Sequence, residues 1–255
     1  MSSSKRSYDG STKESKLNMF IPMFEKFRDD LDKHHDRRER VIKASRDITA
    51  ASKKMFNTTN RVRELSTDYP PKLLSEISEK EVIIRQQFES IRPDLQGINS
   101  WRYQPQISPG LQEFVEAISL QHYLRTQTII SLEESSKQLP SGIELSGEDF
   151  LLGLFDVVGE LMRFAITTMA TTAKIPGAIN KEGSKQDILM DLRTLRAHFE
   201  ELCVPPCRSN WLAQNFDKKM EVMRQCVQKV EHAAYGKIVR GQERPLGWVP
   251  PSSDE

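Results

Sequence analysis

At 255 residues, with 37% hydrophobic and 29% charged residues and a formal net charge of +1, the chain has the composition of a soluble globular protein able to bury a sizeable core. That charge balance excludes a strongly basic protein, and no uncharged apolar run approaches the roughly 18 residues of a membrane span. The opening MSSSKRSYDG has no apolar segment of a secretory signal, so a soluble intracellular chain with no membrane partner is expected.

In chain order, Met1 to Lys16 has the small, polar composition of a disordered tail, and a single domain is expected over residues 17–241. From Pro22 to Ser66 there is no glycine and no second proline. Phe24, Phe27, Leu31, His34, Arg38, Val41, Ser45, Ile48, Ser52, Met55, Thr59 and Val62 step by three and four. The spacing predicts one long helix of about 65 Å. Its seam is polar in the middle, which favours a bundle helix with one functional or intersubunit face over a plain coiled coil. Twelve Lys or Arg stand against eight acids in this segment, a surplus of +4. Arg37, Arg38, Arg40, Lys43 and Arg46, followed by Lys53, Lys54, Arg61 and Arg63, form either a phosphate-binding stripe or a solvated face laced with pairs such as Asp36 to Arg40 and Glu39 to Lys43.

Pro70 and Pro71 open a second helix that Pro93 closes after Ile91, and the Pro-, Gly- and Ser-containing segment from Pro93 to Pro109 reads as a loop. A third helix runs from Pro109-Gly110 to about Ile130. Leu111, Phe114, Val115, Ile118 and His122 occupy one face, while Glu113 and Glu116 share the opposite face with Leu120 and Leu124. Glu133 to Gly147 is a short polar connection. Ser146 then caps the most apolar helix of the chain, Asp149 to Ala170, with Asp149 reaching back as a capping acid. Most of its circumference is apolar, and the narrow remaining strip carries Asp156, Glu160, Arg163 and Thr167 between Gly153 and Gly159. Thr171 to Ser184 reads as a loop, two further helices follow over about 187–203 and 209–239, and residues 242–255 form a flexible tail. No strand pair, internal repeat or linker stands out, so an all-α bundle of six or seven helices with a long N-terminal helix is expected.

The chemical inventory is short. There is no phosphate-binding glycine loop, no His-Glu-x-x-His, no zinc spacing and no Gly-x-Ser-x-Gly. Cys203, Cys207 and Cys226 lack a Cys-x-x-Cys pair and read as reduced thiols. What remains is four acids on two apolar helices, Glu113 and Glu116 on one and Asp156 and Glu160 on the other. They converge if the helices pack antiparallel, as the short connection favours. Like charges in an apolar setting cannot all stay ionised unless a cation joins them, and oxygen-only ligands suit Mg²⁺ or Mn²⁺. The competing reading is an ion-paired seam, with Arg163 and arginines of the first helix neutralising the strip. A di-iron site is disfavoured because its Glu-x-x-His pairing is missing.

Four segments resemble the translin family: DKHHDRRERVIKASRDITAASKKMF (Asp32 to Phe56), GLQEFVEAISLQHYLRTQTIIS (Gly110 to Ser131), EDFLLGLFDVVGELMRFAI (Glu148 to Ile166) and KVEHAAYGKIVRG (Lys229 to Gly241). The resemblance implies a translin-type bundle of about seven helices that assembles with translin into a hollow hetero-oligomeric barrel, located in cytoplasm and nucleus. It further implies a Mg²⁺-dependent endoribonuclease, Mn²⁺ being a possible substitute, acting on short single-stranded RNA such as passenger-strand and precursor transfer-RNA fragments. The family's catalytic acids fall on Glu113 and Glu116 of the Gln-Glu-Phe-Val-Glu motif and on Asp156 of the Asp-x-x-Gly-Glu motif, with Glu160 the next acid and a fourth metal ligand. All four are present, which implies the active branch of the family. One departure is the N-terminus, where only Lys5 and Arg6 stand in place of a longer basic signal. The contacts to RNA are assigned from composition alone to Arg37, Arg38, Lys43, Arg46 and Lys53. A non-catalytic scaffold or a pure single-stranded nucleic-acid binder is the alternative.

Overall fold

Eight helices and one short strand pair make up the described residues of the computed structural model, 20–65, 68–172, 174–179, 185–204 and 211–243. The N-terminal tail lies outside these residues, as does the C-terminal one beyond Glu243, where the last helix ends.

Helix α1 spans Ile21–Thr59 with Pro22 in its first turn, where a missing N–H costs nothing. Val41, Ala44, Ser45, Ile48, Ala51, Ser52, Met55 and Thr59 form its buried stripe, at the spacing the sequence indicates. It stops short of the expected Ser66. Asn57, Thr58, Thr59 and Asn60 are poor helix formers, and the Thr58 and Thr59 hydroxyls donate to the Lys54 and Met55 carbonyls, each at 3.0 Å. Helix α2, Pro71–Ile91, returns antiparallel along α1. Arg61 of the α1 end meets Glu76 at 2.7 Å, and at the far end Arg37 and Arg40 grip Asp94 of the 3-10 turn Arg92–Leu95.

The expected loop between Pro93 and Pro109 is in fact mostly helical. It contains the 3-10 turn, helix α3 (Ile98–Arg102) and the start of α4, Gln104–Thr126. Pro105 fits the first turn of α4, and Pro109 removes only the donor that would meet the Pro105 carbonyl. Ser45 of α1 stabilises this stretch: its hydroxyl accepts from Gly110 N–H at 3.1 Å and lies 3.5 Å from the Ile107 carbonyl. A Cβ on Gly110 would sit 3.0–3.2 Å from Ser45, so the glycine permits close approach of α1 and α4. Helix α4 ends at Thr126 rather than Ile130, because Gln127 adopts a left-handed conformation (φ 52°).

The connection to the next long helix holds a single turn and a half, α5 (Leu132–Lys137), closed by a reciprocal Ser131/Glu134 capping box. Helix α6, Gly147–Thr172, begins as the sequence predicts: the Ser146 hydroxyl accepts from the Asp149 N–H at 3.1 Å and donates to its carboxylate at 2.9 Å. Gln104, Ser108 and Gln112 of α4 also donate to the buried Asp149. Against expectation, α4 and α6 run parallel: Ser108 meets Asp149, and further along Gln112 and Val115 meet Gly153. Residues 127–146 carry the chain back along the length of α4 before α6 starts.

A second difference from expectation is the antiparallel pair β1 (Gly177–Ile179) and β2 (Lys185–Asp187), with Gly177 opposite Asp187. Asp187 caps α7, Ile188–Glu200, by accepting from the Met190 N–H at 2.9 Å. Helix α8, Trp211–Glu243, lies antiparallel to α7 through the ion pairs Arg193–Glu231 and Arg224–Glu200. The helices pack in the spatial order α2, α1, α4, α6, α8, α7, an all-α bundle in which the six helices located from the sequence become eight among the described residues with the short α3 and α5. Cys203 and Cys226 are free thiols, and Cys207 lies outside the described residues. Among the described residues, no helix is long and apolar enough to cross a membrane.

Candidate active site

The four acids singled out by helical periodicity meet in one cleft of about 470 Å³. Helix α4 supplies Glu113 and Glu116, and α6 supplies Phe155, Asp156, Gly159 and Glu160. Helix α1 adds Lys53, Phe56 and Asn57, and α8 adds Val222. The convergence depends on a glycine. A Cβ on Gly153 would lie 2.7 Å from Val115 Cγ1 and 2.9 Å from the Gln112 carbonyl, so only glycine lets α6 lie this close to α4, one turn before Asp156.

Three of the acids each have a cation, one from α1, one from α8 and one from α6 itself. Lys53 Nζ of α1 lies 3.0 Å from Glu113 Oε1. Lys219 Nζ of α8 bonds Asp156 Oδ1. Arg163 Nη1, one turn along α6, lies 2.8 Å from Glu160 Oε2, and Asn60 also donates to that carboxylate. Among the described residues, Glu116 has no ion pair of its own. Burial, with Glu113, Asp156 and Glu160 close by, pushes its carboxyl up to about 7. Burial raises Glu160 as well, while Arg163 pulls it down, and the hydrogen bond to Glu113 holds the Lys53 ammonium above its ordinary value.

The ion-paired seam considered from the sequence is therefore partly realised, but not by arginines of the first helix: Lys53, Lys219 and Arg163 provide the charges. Among the described residues, no three acids stand close enough to hold a metal ion as they are. The donor set itself is oxygen-only and fits a hard divalent cation, and among the described residues Glu116 is the one of the four in no ion pair, with Lys53 acting on it only from beside Glu113.

The basic residues of α1 divide by position. Asp94, nine-tenths buried, accepts from Arg37 Nε at 3.2 Å and from Arg40 at 2.7 and 2.8 Å, and these guanidiniums hold its carboxyl below the usual range. Neither expected pair forms: Arg40 takes Asp94 in place of Asp36, and Glu39 meets Arg38 in place of Lys43. At about 100° per residue, Arg38, Arg46 and Lys53 lie on the flank of α1 that carries Phe56, Asn57 and Asn60 toward the cleft, whereas Lys43 lies on the flank with Asp47 and Lys54. Arg38, Lys43 and Arg46 are exposed.

Sequence reasoning missed Lys219 and Val222, because a lysine next to Met220 on an amphipathic helix carries no signal that separates it from an ordinary surface residue. Asn57 and Asn60 belong to the uncapped end of α1, and their only signal is their place on the flank of Lys53.

A helical bundle whose central helices bring four carboxylates to one cleft is thus the class of protein defined by fold and site. Residues 36–241 match the Translin family, and the chain belongs to that family. It is similar to mouse Translin-associated protein X, at 31% identity over 246 residues covering 87% of this chain and 79% of the mouse protein. It is likewise similar to the Translin-associated protein X homolog of Schizosaccharomyces pombe, at 29% identity with 87% and 89% of the two chains covered. A chain from a solved structure described as apo-NeC3PO shares the fold with a TM-score of 0.61 at 17% identity, covering 85% of this chain and 98% of that one.

Proposed function

We propose that the chain is the catalytic subunit of a translin-containing hetero-oligomer, a Mg²⁺-dependent endoribonuclease that cleaves short single-stranded RNA, including passenger-strand and precursor transfer-RNA fragments, in cytoplasm and nucleus. The observation that carries the reading is the convergence of Glu113, Glu116, Asp156 and Glu160 from two helices, with Glu116 buried among like charges and, among the described residues, in no ion pair. These four carboxylates would hold Mg²⁺ or Mn²⁺, and such an ion, when bound, supplies a Lewis acid for water and phosphate at neutral pH. Glu116 holds a proton near neutrality when no ion is present. Arg38, Arg46 and Lys53 line the approach along α1 and suit a phosphate backbone without reading bases. In this reading Lys43 supports the backbone from the other flank, and Arg37 only after leaving Asp94.

Assembly with translin has its own support. The first turns of α1 expose Phe20, Met23, Phe24, Phe27 and Leu31, at 44–68% of their surface, along one side of the helix. An apolar stripe of that size on a long projecting helix is a surface for another subunit. The decisive experiment is cleavage of single-stranded RNA by the complex with translin, in Mg²⁺ or EDTA. The parent should cut only with Mg²⁺, and Glu116→Ala and Asp156→Ala should not cut. Cutting by either variant at the parent's rate refutes the site.

The three ion pairs support a second reading, a non-catalytic scaffold for translin. It predicts no Mg²⁺ or Mn²⁺ binding and a loss of stability in Arg163→Ala.

A further inference from the structure

Lys219 belongs to no motif, yet it joins α8, whose Val222 lines the acidic cleft, to one of the cleft's acids. Its ammonium bonds Asp156 Oδ1 and its side chain is only 25% exposed, whereas Lys53, in the matching position opposite Glu113, is 60% exposed. Met220 beside it is buried and fixes the backbone, so the flexible four-carbon stem can swing without any movement of α8. An ammonium and a divalent cation on the same carboxylate repel, so each weakens the other's hold on Asp156 and the two compete for it.

We propose that Lys219 is an exchanging positioning residue: it holds Asp156 while no ion is bound, yields that carboxylate to the divalent cation, and then offers its ammonium to the backbone phosphate of the RNA. The proposal rests on the nuclease reading of the cleft. It accounts for a lysine sheltered against a carboxylate at the wall of an open cleft, where a purely structural pair would add little stability. It also couples the two ligands, because the ion frees the group that grips the strand.

The test uses the complex with translin, Lys219→Met, which keeps the stem and removes the charge, and Lys219→Arg, which keeps the charge. Mn²⁺ binding is measured by calorimetry, and binding of a non-cleavable 2′-O-methyl oligonucleotide is measured in Ca²⁺. Lys219→Met should bind Mn²⁺ about tenfold tighter and the oligonucleotide about tenfold more weakly, while Lys219→Arg should retain oligonucleotide affinity close to the parent's. Unchanged Mn²⁺ affinity in Lys219→Met overturns the exchange, and unchanged oligonucleotide affinity overturns the phosphate contact. If Asp156→Asn leaves Mn²⁺ binding of the parent complex intact, the metal reading of the cleft fails and this proposal falls with it.

Discussion

Replacing Glu116 with glutamine isolates what the cleft does to the acid that, among the described residues, has no ion pair. Gln has the shape of a protonated Glu and is neutral at every pH. The parent carboxyl is raised from 4.5 to about 7 by burial and by Glu113, Asp156 and Glu160. Between those values the folded chain holds a proton that the unfolded chain has released. The resulting stability is complete below pH 4.5 and is lost as pH rises through about 7. Across that interval the loss amounts to about 3 kcal/mol, reduced to about 2 kcal/mol because the carboxyl is not fully sealed from water. Without divalent ions, Glu116→Gln should therefore melt higher than the parent at pH 8, by about 4–8 °C for a chain of this size, and at the same temperature near pH 4.5. Differential scanning fluorimetry in EDTA across this range measures the gap. Mg²⁺ should raise the parent's melting temperature more than the variant's, and the variant should not cleave. A gap that is absent at pH 8, or constant with pH, refutes the picture of Glu116 as an acid compressed among like charges.

Other substitutions test the frame around that acid. Gly153→Ala places a methyl group against Val115 and the Gln112 carbonyl, and should cost about 1–3 kcal/mol in urea unfolding and weaken cleavage by separating α4 from α6. Asp94→Asn loosens Arg37 and Arg40 and should cost about 2 kcal/mol at pH 7. Because the native carboxyl is held low, that difference should shrink as pH falls below about 4, as equilibrium unfolding would register. Arg46→Ala should weaken single-stranded RNA binding and lower the salt slope of log K by about 0.7, whereas Arg37→Ala should lower stability with little change in RNA affinity; the reverse ranking in a salt titration would remove the flank assignment.

The acids were legible because helical period alone decides which side chains share a strip, and carboxylates on a strip between apolar faces are an anomaly in any fold. The direction of α6 was not legible, since a connection such as residues 127–146 can either turn back at once or travel the length of α4 and start again. That error did not move the site. Glu113 and Glu116 lie near the middle of α4, and Asp156 and Glu160 near the middle of α6, so parallel and antiparallel packings both bring the pairs together. Ion pairing behaves differently, because it depends on elements remote in sequence. Arg37 and Arg38 are adjacent and identical in type, yet Arg37 reaches Asp94 in a 3-10 turn and Arg38 stays on the cleft flank. Lys219 is 63 residues from its partner Asp156. Composition could count the basic residues of α1, but only the packing of α2 and α8 determines which cations are spent on structure and which remain to meet a phosphate.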